Sequence, residues 1–319
     1  MPEPRTVQEV AGSPSPVVAH HLTKHYRDVV AVDGVDLVVE AGEVRGLLGP
    51  NGAGKTTILA MLFGLVEPDG GSLSLFGRDR RSVAVGWLDG VAGFVETPHF
   101  YPYLSGRKNL GHLARLDGGR APHLVDDVLD RVGLGAAASD KVRGYSLGMR
   151  QRLGVAAALL RSPRLLIVDE PANGLDPAAA RDLQVALRDL AGAGTAILLS
   201  SHDMAAIENV CDRITVLRQG RSVFDGSLTQ MCTDAPAAGY RLHTSDDRAA
   251  LDQAPATAAL GVEATGDGLV IHAGRDDLDS YVIDLGRAGI AVRSLTLEVS
   301  ALESLFFQLT EGGARPARR

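Results

Sequence analysis

The chain has 319 residues, of which 45% are hydrophobic and 22% charged, with 32 basic against 39 acidic side chains for a formal charge of −7. That length holds one large domain and a smaller one, and the composition is ordinary for a globular protein. A net-negative chain with no basic run beyond its terminal ARPARR offers no footprint for a phosphate backbone, which excludes nucleic acid as a main partner.

Residues 1–16 contain acidic side chains and four prolines where an export signal needs an apolar stretch, and they read as a flexible leader. No run of about 18 apolar residues occurs, so no membrane-spanning helix is expected. Cys211 and Cys232 are too few for a disulfide framework and read as small buried hydrophobes in a reducing compartment.

From Val17 the pattern alternates short β-rich runs with helical stretches, which predicts an α/β fold with a largely parallel sheet. VVAHHL, VDLVV and VRGLL read as strands. After the third comes GPNGAGKT, which fits G-x-x-x-x-G-K-[ST] and opens a helix from Lys55 to Gly64. The loop Gly49, Pro50, Asn51, Gly52, Ala53 and Gly54 is suited to close around an anion at a helix N-terminus. Lys55 would then reach the terminal phosphates, and Thr56, with Thr57 beside it, would ligate Mg²⁺.

The stretch 98–161 turns helical. Within it, Ser146, Gly148 and Met149 of YSLGMRQR precede a long helical run, so a hydroxyl and backbone N–H groups predict a second anion site. RLLIVDE then reads as a buried strand delivering Asp169 and Glu170 at its carboxyl end, where open α/β sheets place ligands. Asp169 is the candidate Mg²⁺ ligand, and Glu170 the candidate base for a water attacking the γ-phosphate. TAILLS is a further buried strand. The ATPase domain is expected to span 17–232, a small α/β domain 233–312, and a basic tail 313–319. No internal repeat is apparent.

Taken in order, these motifs resemble those of the ATP-binding cassette (ABC) ATPases, over roughly Val17 to Gly226. YSLGMRQR is similar to the family's signature, although Leu147 replaces the usual first glycine. IVDEPANGLDP resembles its Walker B motif and D-loop, putting Asp176 at a subunit boundary, with Ala172 where threonine is common. SSHD resembles the switch segment with His202 near the γ-phosphate, and Tyr26 stands where the family stacks an aromatic ring on adenine. The resemblance implies head-to-tail pairing of two copies around ATP, so that the signature of one closes on the P-loop of the other.

One cassette, a short helical subdomain and no membrane span make the chain similar to the separate ATPase subunit of a transporter, at the cytoplasmic face of the membrane beside a multi-span permease. In GFVETPHFYPYLSGRKNL, four of the fourteen aromatics (Phe94, Phe100, Tyr101, Tyr103) fall within ten residues, in a segment that faces the membrane partner in the family. They would either form that interface or fill the joint between subdomains. Glu96 stands where most of the family has glutamine, a metal- and water-coordinating position. This variant, and the ending LTLEVSALESLFFQLTEG, resemble bacitracin, lantibiotic and multidrug export ATPases. An importer subunit, a lipid or polysaccharide exporter, and a soluble ABC regulator of ribosomes or DNA remain the alternatives.

Overall fold

The computed structural model describes residues 14–82, 85–116, 122–255 and 260–311, so most of the expected leader and the basic tail lie outside the described residues. The chain divides into two compact units, one ending at Asp225 and the other starting at Gly226. The second thus begins ahead of the proline-containing stretch that marks the boundary in the sequence, and it includes the helix Leu228–Asp234.

The first unit is built on two sheets. One is antiparallel, in the order 29–39, 17–26, 70–75, 78–79. The other has six strands in the order 221–227, 213–218, 44–48, 196–201, 165–168, 91–94. The strands from 213–218 to 91–94 pair in parallel. The central ones, Val44–Leu48, Leu165–Val168 and Ala196–Ser201, are buried at every position. That is why their sequences are mostly apolar instead of alternating, with Arg45, Ser200 and Ser201 as the buried polar exceptions.

The helix Lys55–Leu62 lies in the core, with Ile58, Leu59, Met61 and Leu62 packed among Leu22, Val35 and Leu73 of the antiparallel sheet and Leu47, Leu165 and Leu198 of the parallel one. Helices with no polar face belong in such interiors. Three helices, Gly106–Leu116, Val125–Arg131 and Leu147–Leu159, pack together as an insertion between the strands 91–94 and 165–168. The strands Gly70–Leu75 and Val91–Phe94 were not apparent in the sequence, where glycines interrupt their apolar pattern.

The second unit is an antiparallel sheet in the order 260–265, 268–273, 238–244, 292–299, with the helices Asp247–Asp252, Arg275–Arg287 and Ala301–Glu311. Its own core gathers Leu242, Leu269, Ile271, Leu278 and Leu285 around the buried Tyr281, whose hydroxyl donates to the Ala250 carbonyl at 2.6 Å. Of the two cysteines, Cys211 is buried as expected, but Cys232 is exposed. The short helix that carries Cys232 buries only Met231, which leaves the thiol on the solvent side.

Candidate nucleotide site

Four strand ends meet at one edge of the parallel sheet. Leu47 and Leu48 face Ser200 and Ser201, Val168 faces Leu199, and Phe94 faces Val168, so the carboxyl ends lie side by side. Beyond them follow the glycine loop, the pair Asp169 and Glu170, His202, and Glu96. Residues far apart in the chain are thereby delivered to one place.

The loop needs its glycines. A Cβ at Gly49 would lie 2.6 Å from the Leu217 carbonyl oxygen, and Gly54, at φ +105, would drive one into the Ala31 carbonyl. Both backbones approach where no side chain fits. Lys55 is 6% exposed, and its ammonium donates to the Gly49 carbonyl at 2.6 Å and the Pro50 carbonyl at 3.3 Å. It also lies 3.5 Å from Glu170 Oε1.

Asp169 is buried, and both of its oxygens are held. Oδ1 accepts the Ser200 hydroxyl, while Oδ2 accepts the Thr56 hydroxyl at 3.1 Å and the Glu96 backbone N–H at 3.2 Å. Glu170 sits at φ +48, in the left-handed region, and its N–H donates to Ser200 Oγ at 2.9 Å. Its Oε2 lies 2.9 Å from His202 Nδ1. Lys55 thus stands beside one carboxylate, that of Glu170, while Asp169 precedes Glu170 in the chain and Glu96 meets Asp169 through its backbone. Ser200, the residue that ties Asp169 and Glu170 together, escaped the reading of the sequence; its one signal there is a serine where an apolar strand should still be apolar.

Thr56 is exposed and Asp169 adjoins it, so a hydroxyl and a carboxylate oxygen face the loop together. Among the described residues no three His, Cys, Asp or Glu side chains gather into a ready-made metal cage. That donor set fits Mg²⁺, which takes one or two protein oxygens and completes its shell with phosphate and water. Glu96, at φ +62, is exposed; its backbone touches Asp169, and it lines a recess of about 450 Å³ with Arg143 and Arg150.

The other expected residues form a second group. Ser146 caps the helix Leu147–Leu159, its Oγ accepting the Met149 N–H at 3.1 Å. Asp176 caps the helix Pro177–Gly192 by accepting from Ala178 and Ala179 at 3.0 and 2.9 Å. The two segments interlock: a Cβ at Gly148 would come 2.5 Å from Leu175 Cδ2, and one at Gly174 2.5 Å from Leu147 Cδ2. Leu147, the departure from the usual signature, therefore lies over a glycine of the following loop. Among the described residues no hydrogen bond joins Ser146, Gly148 or Met149 to the loop 49–57. Tyr26 is 45% exposed at the end of a hairpin, with Lys24 Nζ 5.6 Å from its ring centroid, and the return strand of that hairpin meets the glycine loop at Ala31.

The aromatic segment divides. Tyr101 and Tyr103 are 58% and 64% exposed, their ring centroids 5.8 Å apart. Phe94 is half-buried, and with Pro98 it closes on Gly154 of the helix Leu147–Leu159, filling the joint between strand and helix.

A glycine loop closed by a buried lysine, with a hydroxyl and a paired Asp-Glu at the end of a second strand, one strand lying between the two in the same parallel sheet, defines a P-loop nucleoside triphosphatase. The ABC transporter family model matches residues 32–173. Bacitracin transport ATP-binding protein BcrA of Enterococcus faecalis is 39% identical, over 67% of this chain and 70% of its own. Daunorubicin/doxorubicin resistance ATP-binding protein DrrA of Streptomyces peucetius is 36% identical, over 91% of this chain and 90% of its own. The uncharacterised ATP-binding protein YdbJ of Bacillus subtilis is 44% identical over 61% of this chain, a match that spans 63% of YdbJ. A solved ATP-binding subunit of an ABC transporter superposes with a TM-score of 0.62 at 30% identity, covering 69% of this chain and 93% of that one. The chain belongs to the ATP-binding proteins of ABC transporters. It binds and hydrolyses ATP.

Proposed function

We propose that two copies of the chain close head to tail around ATP and that this closure drives a separate multi-span permease at the cytoplasmic face of the membrane. The observation that carries the reading is the division of the expected residues into two groups. Lys55, Thr56, Asp169, Glu170 and His202 stand together at the sheet edge, whereas Ser146, Gly148, Met149 and Asp176 form a separate interlocked surface. A second copy supplies the missing half to each nucleotide. The exposed Tyr101 and Tyr103 fit the permease contact, since interfaces favour aromatics.

In this reading residues Gly49 to Thr57 hold the phosphates and Tyr26 stacks on the adenine. Thr56 and Asp169 would hold Mg²⁺, and Glu96, whose backbone adjoins Asp169, would be a further oxygen donor. When bound, the ion would supply positive charge against the phosphates. Lys55 leaves the loop carbonyls and Glu170 for the phosphates, which frees the Glu170 carboxylate while His202 still orients it. Glu170 then takes a proton from water as its oxygen attacks the γ-phosphorus, and the bond to the ADP oxygen breaks.

The transport direction we propose is export, with drug or antibiotic self-protection as the task. The match to DrrA runs through the second unit to 91% of the chain, whereas that to BcrA stops at 67%. This favours the daunorubicin-type systems over bacitracin transport, importers and ribosome or DNA regulators. We assign the second unit, from Gly226, as an accessory domain of this subgroup. The test is co-expression with a candidate multi-span permease in a drug-sensitive host. Export predicts lower accumulation of an anthracycline with the wild type and none of that protection with Glu170→Gln; equal accumulation in all cells would refute it.

A further inference from the structure

The buried hydroxyl of Ser200 touches both carboxylate residues of the site at once. Ser200 is fully buried in the strand Ala196–Ser201, beside Leu47 of the strand that leads into the glycine loop. A hydroxyl in such surroundings is costly unless both its donor and acceptor capacity are used. Here the hydrogen goes to Asp169 Oδ1 and the oxygen accepts the Glu170 N–H at 2.9 Å. The neighbouring Ser201 serves a different purpose, bonding within its own turn to Asp203 at 3.0–3.1 Å.

We propose that Ser200 is a positioning residue for ATP hydrolysis, fixing which oxygen of Asp169 faces Thr56 and holding the Glu170 backbone in its left-handed conformation. This rests on the roles given above to Asp169 and Glu170. With Oδ1 tied to Ser200, only Oδ2 is left to meet the Thr56 hydroxyl and the Glu96 N–H. A carboxylate free to rotate about its own axis would present either oxygen or neither, and a metal-binding carboxylate loses affinity when its supporting hydrogen bond is lost. Glu170 needs the same anchor for another reason. At φ +48 a residue with a Cβ is strained, and such a conformation persists only where surrounding bonds impose it. The Ser200 oxygen and the bond from Asn173 N–H to the Glu170 carbonyl at 3.1 Å are the two that hold this peptide from either side.

The test uses the full chain and four variants: Ser200→Ala, Ser200→Thr, Ser200→Cys and Asp169→Asn. Binding of a fluorescent ATP analogue is titrated with Mg²⁺, and the same titration is repeated on hydrolysis, with thermal melting run alongside. Removing the hydroxyl should raise the half-saturating Mg²⁺ concentration about tenfold, within the range for loss of a ligand's supporting bond. It should also lower kcat more than it raises the KM for ATP, and leave analogue binding in EDTA unchanged because Lys55 is untouched. Thr should restore the Mg²⁺ response, and Cys, near in size but a weak donor, should fall between. If Asp169→Asn raises the Mg²⁺ requirement and Ser200→Ala does not, this inference fails and the site reading stands. If Asp169→Asn leaves it unchanged, both fail. If Ala, Cys and Thr all shift Mg²⁺ affinity equally, in step with their melting temperatures, Ser200 serves packing only and the positioning role is overturned.

Discussion

At the scale of single residues, the site sets a buried lysine against Glu170 beside the hydrogen-bonded Asp169, and its variants differ in which charge they disturb. Lys55→Ala removes the ammonium that lies beside Glu170 and the loop carbonyls; the measurement is ATP affinity by calorimetry, and a loss of at least about 1.4 kcal/mol, or tenfold, is expected. Glu170→Gln keeps the His202 contact but cannot take a proton, so hydrolysis should fall about 10²–10⁴-fold while an ATP-bound dimer persists in size-exclusion chromatography. Glu96 separates two roles. Its backbone adjoins Asp169, so its charge adds to those of Asp169 and Glu170 near the loop; ATP should bind poorly without Mg²⁺, and Glu96→Gln should make binding in EDTA tighter. Unchanged binding would mean that the exposed Glu96 carboxylate does not bear on the nucleotide. Lys55, Thr56, Asp169, Glu170 and His202, which the structure brings together, stood out in the sequence by their type and their place just beyond apolar strands. Ser200 did not, since its role exists only where two strands place it between Asp169 and Glu170.

At the scale of elements, the start of the helix Leu147–Leu159 and the loop before Pro177 fit as two large-small pairs, Leu147 on Gly174 and Leu175 on Gly148. Gly174→Ala should destabilise the chain by about 1–3 kcal/mol through overpacking, read as a lowered urea midpoint. Adding Leu147→Ala should recover the part due to the clash and leave the part due to φ +73. A double variant no better than Gly174→Ala would show that the leucine is not what the new methyl meets. The apolar runs at Leu165–Val168 and Ala196–Leu199 were readable as strands because burial on both faces writes itself as continuous hydrophobicity. Val91–Phe94 was hidden because Gly93, at φ +144, stands where a Cβ would strike the Ile167 backbone, so packing selects against a β-former there. The interlock was likewise invisible: the sequence shows Leu147 as a departure from the family but not the glycine that receives it.

At the scale of the molecule, ion pairs set how the chain meets acid. Asp69 is held below the ordinary 3.8 mainly by the bond from Lys24. Burial pushes Asp225 up, but bonds from Thr215, Arg45 and Arg213 outweigh it and leave it below 3.8 as well. Such carboxyls bind protons more weakly folded than unfolded, so their stabilisation is complete above 3.8 and is lost as pH falls below it. Glu43 works the other way: burial raises it above 4.5, and what it contributes is present below that value and disappears as pH rises through its folded one. The denaturant midpoint should therefore drop between about pH 4 and pH 2, and Asp225→Asn should make the drop shallower. The division of the chain was legible only in outline, because the composition changes near 233 while the second unit already begins at Gly226. Its exposed Cys232 has a practical consequence. Burial pushes the Cys211 thiol far above the usual range and shields it, so a maleimide should modify one sulfur per folded chain. The natural sequence thus comes with its own spin-label attachment point, and two chains joined around ATP would carry a matched pair whose separation, read by pulsed electron resonance, reports closing and opening without any engineered cysteine.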